Sequence, residues 1–432
     1  MTQTSRARRR HPLRNVLAAA TIAVLLVAAC STKAKTTTQT GNSGSSSSIK
    51  TGPGVTSSTI TLGALTDLSG VFAVLGKTVT QGTQIYFDAL NKQGGVCGHK
   101  IKLLVKDHGY DVQKAVGLYS DLSTRVLGME QLLGSPINAA LKQNIETDKM
   151  FTIPVSWAST ILDNPNNMIV GTTYDVEIIN GVAWLMKSKG LKKGDSIGHI
   201  YIQGEYGENG FLGSQYAAKK AGLKVIGSQI TATATDLTSQ VTSLKAKGVK
   251  AILLTTTPTQ TASAVAVDAA SGLNVPVVGN NPTFVPQLLK TAAGPALQKL
   301  FYLVASWDPY SGTSKGATTV RDAYKAKYPK DVPNGGVDWG YGAAVAYATV
   351  LKKACANKDL SRDGIQKAFR ETTNVATDGL FPALDYSSPG DPATRESLVV
   401  RADAKAAGGL TVVQPLTESS YAKSYTAPAH GK

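Results

Sequence analysis

Residues 100–126 read KIKLLVKDHGYDVQKAVGLYSDLSTRV, and the fold turns on how this stretch is divided. KIKLLVKD (100–107) reads as a strand. Asp111 stands in the N-cap position of a helix over 112–126. One strand, one short turn and one capped helix make a βα unit, and the same unit recurs on both sides. Before it, TITLGAL (59–65) is a strand, and Ile85, Phe87 and Leu90 mark a helix over 77–92 that Gly94 and Gly95 stop. After it come strands at 129–135 and 151–156 with a helix at 137–148 between them. The rhythm restarts beyond NMIVGTT (167–173), with strands at 196–203, 223–230, 249–256 and 275–279. Helices near 176–189, 208–221, 237–247 and 259–271 separate these strands. Repeated βα units with buried, β-branched strands predict an α/β fold of two doubly wound parallel-sheet lobes. SLVVRADAK (397–405) and GLTVVQPL (409–416) read as a closing strand pair.

In open α/β sheets ligands lie beyond the carboxyl ends of the strands. In the first run those ends are TDLSG (66–70), DHGYD (107–111), GSPINA (134–139) and VSWAST (155–160). In the second they are QGEYGE (203–208), TTTPTQ (255–260) and GNNPTF (279–284). Hydroxyls and amides in such loops serve first as helix caps. Converging from two lobes, they also frame a cleft for a small polar solute, with helix N-termini suited to an anion.

The N-terminus reads as a leader. Residues 6–14 hold five Arg and no acid, and VLAAATIAVLLVAA (16–29) is too short to span a bilayer but suits a secretory apolar region. VAAC (27–30) resembles the lipobox of bacterial lipoproteins. That resemblance implies cleavage before Cys30, diacylation of its thiol, and attachment to the outer face of the cytoplasmic membrane. The alternative is an ordinary signal peptide that leaves Cys30 unmodified. Residues 30–57, rich in Ser, Thr and Gly, read as a flexible tether. Removing the leader takes away five basic residues and no acid, which lowers the formal charge from +16 to +11. The Lys residues are scattered and form no basic stripe, so nucleic acid is not an expected partner.

Several chemistries find no support. SGVFAVLGKT (69–78) has five residues between Gly70 and Gly76, where a phosphate loop needs four. The five His are dispersed, and neither a catalytic metal, a cofactor nor an enzyme activity is expected.

From about residue 58 to 415 the chain resembles the type I solute-binding proteins of ABC importers, most of all the branched-chain amino-acid binders. The resemblance rests on five segments in order: SGVFAVLG (69–76), NKQGGVCGHKI (91–101), KDHGYDVQKAV (106–116), EYGENGFLGS (205–214) and DWGYGAAVAYATVLKKA (338–354). It implies a monomer of two lobes joined by a three-segment hinge. Lobe 1 spans 58–173 and 304–383, lobe 2 spans 174–303 and 396–416, and 417–432 form a tail. With that topology Cys97 and Cys355 share a lobe and pair.

It also implies a ligand site. Asn138 stands where the family offers a Ser hydroxyl, Ala158, Ser159 and Thr160 match its A-x-T segment, and Tyr206 matches the closing Tyr of the second lobe. Leu75 replaces an aromatic residue of the first loop, and Trp157 supplies a second apolar wall. Asn281 (or Asn280) stands where amino-acid binders place a Glu against the ligand ammonium. An ammonium buried without a carboxylate costs several kcal/mol. The expected ligand is therefore a small carboxylate, amide or neutral polar solute with an apolar part, delivered to a membrane permease. Alternatives are a sensor lipoprotein with the same cleft, an exported enzyme and a structural surface lipoprotein.

Overall fold

The computed structural model describes residues 49–431; the leader, Cys30 and the tether up to residue 48 lie outside the described residues. The chain begins with β1 (Lys50–Thr51), β2 (Thr59–Thr66), α1 (Ala73–Lys92), β3 (Lys100–Asp107) and α2 (Val112–Ser123). It continues through β4 (Met129–Leu133), α3 (Ser135–Thr147) and β5 (Thr152–Val155). These strands form a four-stranded parallel sheet in the order β3-β2-β4-β5. Asp111 does cap α2, its carboxylate accepting from the Lys114 amide at 2.8 Å. The first helix starts at Ala73, four residues before the apolar spacing announces it, because its first turn buries Leu75 and Gly76.

The second run comprises α4 (Tyr174–Ser188), β6 (Ser196–Ile202), α5 (Glu205–Ala221), β7 (Lys224–Ile230) and α6 (Thr238–Ala246). β8 (Ile252–Thr255), α7 (Pro258–Ala270), β9 (Val277–Asn280), α8 (Gly294–Leu300) and β10 (Phe301–Ala305) follow. Thr257 and Gln260 close a capping box at the start of α7, which sets the turn after β8. Then come α9 (Lys315–Lys327), α10 (Gly335–Ala356), β11 (Asp359–Leu360), α11 (Arg362–Arg370), β12 (Asn374–Val375) and β13 (Leu384–Asp385). β14 (Ser397–Ala402), β15 (Leu410–Thr417) and α12 (Ser420–Lys423) end the chain.

The second sheet has seven strands in the order β15-β14-β10-β9-β8-β6-β7. Its other five members, β10, β9, β8, β6 and β7, are parallel, and β14 and β15 close one edge in antiparallel pairing. The chain therefore passes from the first sheet to the second after β5, leaves it after β10 and returns at β14. The strand at β10 was not apparent in the sequence, since it follows α8 without an intervening turn signal.

α10 returns to the first sheet's side and lies against α1. Glycines let the two backbones touch: a Cβ on Gly82 would strike the Val337 carbonyl, and one on Gly340 would strike the Val79 carbonyl. Cys97, in the turn before β3, is bonded to Cys355 at the end of α10, with Cα atoms 6.0 Å apart. The bridge spans 258 residues of sequence. In the loop-entropy model it contributes at most about 5 kcal/mol.

The last residues assigned to the tether are not flexible chain. β1 pairs in parallel with β11, and Val55 bridges Ile60. Backbone hydrogen bonding to a folded partner overrides the low apolar content of these residues. Among the described residues no helix is long and apolar enough to cross a membrane.

Candidate ligand cleft between the two sheets

The carboxyl ends of both sheets face one another, and their loops enclose a cavity. Its first wall is set by Asp67, just beyond β2. The buried Asp67 carboxylate accepts from the backbone amides of Ser69, Gly70 and Phe72, folding residues 67–72 into a tight loop that turns Phe72 inward. Leu75 follows one turn later on α1. Beyond β3, Tyr110 has a left-handed backbone, φ 63°. Such a conformation in a bulky residue is sparsely populated and recurs at functional sites. It brings the Tyr110 ring to 4.9 Å from that of Phe72. Leu133, Val155 and Trp157 supply the floor.

Trp157 is anchored from behind. Its indole Nε1 donates to the Val170 carbonyl at 3.1 Å, and the Nε1 of Trp339 donates to the same oxygen at 3.0 Å. The second wall is Tyr174 at the start of α4, Tyr206 on α5 and Pro282 after β9. The rings of Tyr174 and Tyr206 are 4.7 Å apart, and Tyr206 meets Phe72 edge-on across the cleft at 6.4 Å. The space left inside is about 10 Å³, close to the least that admits one water. The walls are in contact, so a larger guest requires them to part.

The polar groups of this cavity are hydroxyls. Ser135 opens α3 and shares a 2.7 Å hydrogen bond with Ser156, and both hydroxyls act on the Tyr174 phenol. The Tyr206 hydroxyl donates to the Thr256 carbonyl at 3.1 Å. Burial pushes the tyrosines at 110, 174 and 206 above the ordinary phenol range, so they stay neutral. No acidic or basic side chain lines the cavity. Behind this second wall lies Glu177, wholly buried, whose Oε2 accepts from the Asn281 amide at 3.0 Å. Burial first, then Asp175, holds its pKa well above the carboxylate range, against the pull of the Asn281 amide.

Of the residues expected at the site, Leu75, Trp157 and Tyr206 come together on the cavity. Asn138, Ala158, Ser159, Thr160 and Asn281 are buried or half-buried nearby but do not line it. The Asn138 amide donates to the Leu132 and Gly134 carbonyls, holding the β4–α3 turn. Asn281 has an unpartnered buried Nδ2, and the Thr160 hydroxyl is buried without a partner. Ser159 joins a separate polar cluster. Its Oγ donates to Asp175 at 2.5 Å and accepts from the Asn209 amide at 2.8 Å. Thr173 and Tyr425 also donate to that Asp175 carboxylate.

Among the contributors not singled out from the sequence are Phe72, Tyr110, Ser135, Ser156, Tyr174 and Pro282. All but Tyr174 lie in segments already marked as strand ends or as the SGVFAVLG match, so position was readable and side-chain direction was not.

The comparisons agree with this geometry. Residues 59–408 match the family described as Periplasmic binding protein. The chain is 45% identical to a fatty acid ABC transporter substrate-binding protein from Thermomonospora curvata, with a TM-score of 0.86, covering 88% of this chain and 97% of that one. A branched chain amino acid ABC transporter structure from Thermus thermophilus, with bound valine, shares the fold at 17% identity and a TM-score of 0.75, over 86% of this chain and 98% of that one. Among curated proteins, Leu/Ile/Val-binding protein homolog 8 of Brucella abortus is 24% identical over 290 residues, 62% of this chain and 70% of the relative. Two α/β lobes facing each other across a hydroxyl-lined aromatic cleft, together with a family match over most of the chain, establish that this protein belongs to the periplasmic binding proteins of type I fold, a family of solute-binding proteins rather than enzymes.

Proposed function

We propose that the protein captures a small carboxylate with a predominantly apolar body, fatty-acid-like rather than a free amino acid, and hands it to an ABC import permease. The observation that carries this reading is the charge-free lining: aromatic and aliphatic walls with hydroxyls at one pole. A carboxylate head fits the Ser135 and Ser156 hydroxyls at the N-terminus of α3, where the helix dipole favours an anion. The tail then lies against Phe72, Leu75 and Trp157. An α-ammonium would meet Tyr174, Tyr206 and Pro282 instead of an ionised carboxylate, and its desolvation would go uncompensated. The substrate printed in the name of the Thermomonospora curvata relative points the same way.

Capture proceeds by hinge closure, the three crossings flexing while each lobe moves as a body. Ligand favours the closed form only by its differential affinity for it. Asn138, Ala158, Thr160 and Asn281 hold the strand-end loops and meet the solute as the cleft opens. The mature protein is a monomer, exported and tethered to the outer face of the cytoplasmic membrane through acylated Cys30. Its lobes span 58–173 with 304–383 and 174–303 with 396–416, and 417–432 is a tail.

Calorimetric titration of the purified chain with octanoate, palmitate, leucine, isoleucine and valine tests the reading. Fatty acids are expected to bind at micromolar Kd, about −8 kcal/mol, and the amino acids at least about a hundredfold more weakly. Tight binding of leucine with no heat from either fatty acid would sink it.

A further inference from the structure

A second cavity, of about 330 Å³, lies away from the interlobe cleft, between the segment following β5 and the loop preceding β14. That volume falls in the range of small-molecule sites. Ile169, Phe369 and Tyr386 give it an apolar body, the last two rings lying 5.9 Å apart. Two polar groups on its lining are unanswered. Asn167 is only 7% exposed; its Nδ2 donates to the Ile161 carbonyl at 3.0 Å, and its Oδ1 is buried with no partner. An orphaned buried acceptor of this kind is destabilising unless a donor meets it. At the rim, the Arg370 guanidinium makes no ion pair among the described residues. The other charged group on the lining, Asp391, is already matched by Arg395 and His430.

We propose that this cavity is a second binding site, for a small carboxylate with an aromatic or short acyl body and one hydrogen-bond donor. Arg370 takes the carboxylate, the Phe369 and Tyr386 rings take the body, and Asn167 Oδ1 accepts the donor. The site is independent of the interlobe reading. Its two walls lead into the first and third crossings, and the Tyr386 hydroxyl already ties them through the Ile169 carbonyl at 3.1 Å. An occupant would hold the same two segments together.

The probe is 4-hydroxyphenylacetate, titrated calorimetrically into the full chain. Saturable binding is expected. It should weaken about five- to tenfold in Arg370→Gln, and by a similar factor when the uncharged 4-hydroxyphenylacetamide replaces the probe. Ser388→Trp, at an exposed position on the lining, should block it, while both variants keep wild-type affinity for octanoate, the interlobe probe. Tyr206→Ala, which damages the interlobe cleft, should leave probe binding intact. The proposal is overturned if the wild-type protein shows no saturable binding. It is equally overturned if binding survives Arg370→Gln and Ser388→Trp but disappears in Tyr206→Ala, because the probe would then occupy the interlobe cleft.

Discussion

Between Phe72 and Tyr206 the lobes meet ring against ring, whereas at Ser159 they meet through a carboxylate shared by three hydroxyls. The two junctions lie on loops of the same strand ends. The aromatic junction has no charge and little directionality, so its walls can part and re-close on an apolar guest. The polar junction is directional: Asp175 accepts from Ser159 after β5, Thr173 just before α4 and Tyr425 after α12. Asn209 of α5 completes it, accepting from the Ser159 and Asp175 amides at 3.3 Å each. On the proposed function, the aromatic junction would set selectivity and the polar junction the geometry of approach.

That division can be broken by mutation. The largest effect is expected for Trp157→Ala, which opens a cavity among Tyr174, Trp307 and Trp339. It should cost about 3–5 kcal/mol in urea unfolding and enlarge the range of acyl chains bound. Next is Asp175→Ala, which strands three hydroxyl donors, the Asn209 side-chain amide and the Val176 backbone amide at the polar junction. A loss of about 3 kcal/mol is expected, with the preference for fatty acid over leucine unchanged; an altered preference would show that the junctions are not separable. Tyr206→Phe removes one hydrogen bond to the Thr256 carbonyl and should cost about 1 kcal/mol, read as a Tm shift of a few degrees with ligand affinity nearly retained.

Glu177 sits between the junctions, bonded to Asn281 and close to Asp175, and its raised pKa sets the sign of the smallest effect. A raised carboxyl pKa contributes stability below its unfolded value, about 4.3, that is lost as pH rises through the folded value. Glu177→Gln keeps the acceptor for the Asn281 amide and fixes the neutral state. Its Tm should therefore match wild type in acid and exceed it increasingly toward alkaline pH. If Glu177 were instead ionised against a ligand cation, the variant would lose affinity sharply.

The strand–helix order up to β9, the Asp111 cap, the paired closing strands and the loops around the cleft were legible from residue patterns, whereas β10 was not. Each rests on local chemistry: apolar period, cap geometry and turn residues act within a few positions. Side-chain direction at the cleft was not legible. Tyr110 faces inward because its backbone is left-handed, and Phe72 because Asp67 gathers three amides beneath it. Ser159 looked like a ligand group, but its hydroxyl is already taken by Asp175 and Asn209, residues that reach it only once the chain has crossed to the second sheet. In VSWAST the position of the cleft was readable as a strand end. Which of its side chains face that cleft was settled by contacts between distant segments, where burial and hydrogen-bond competition act together.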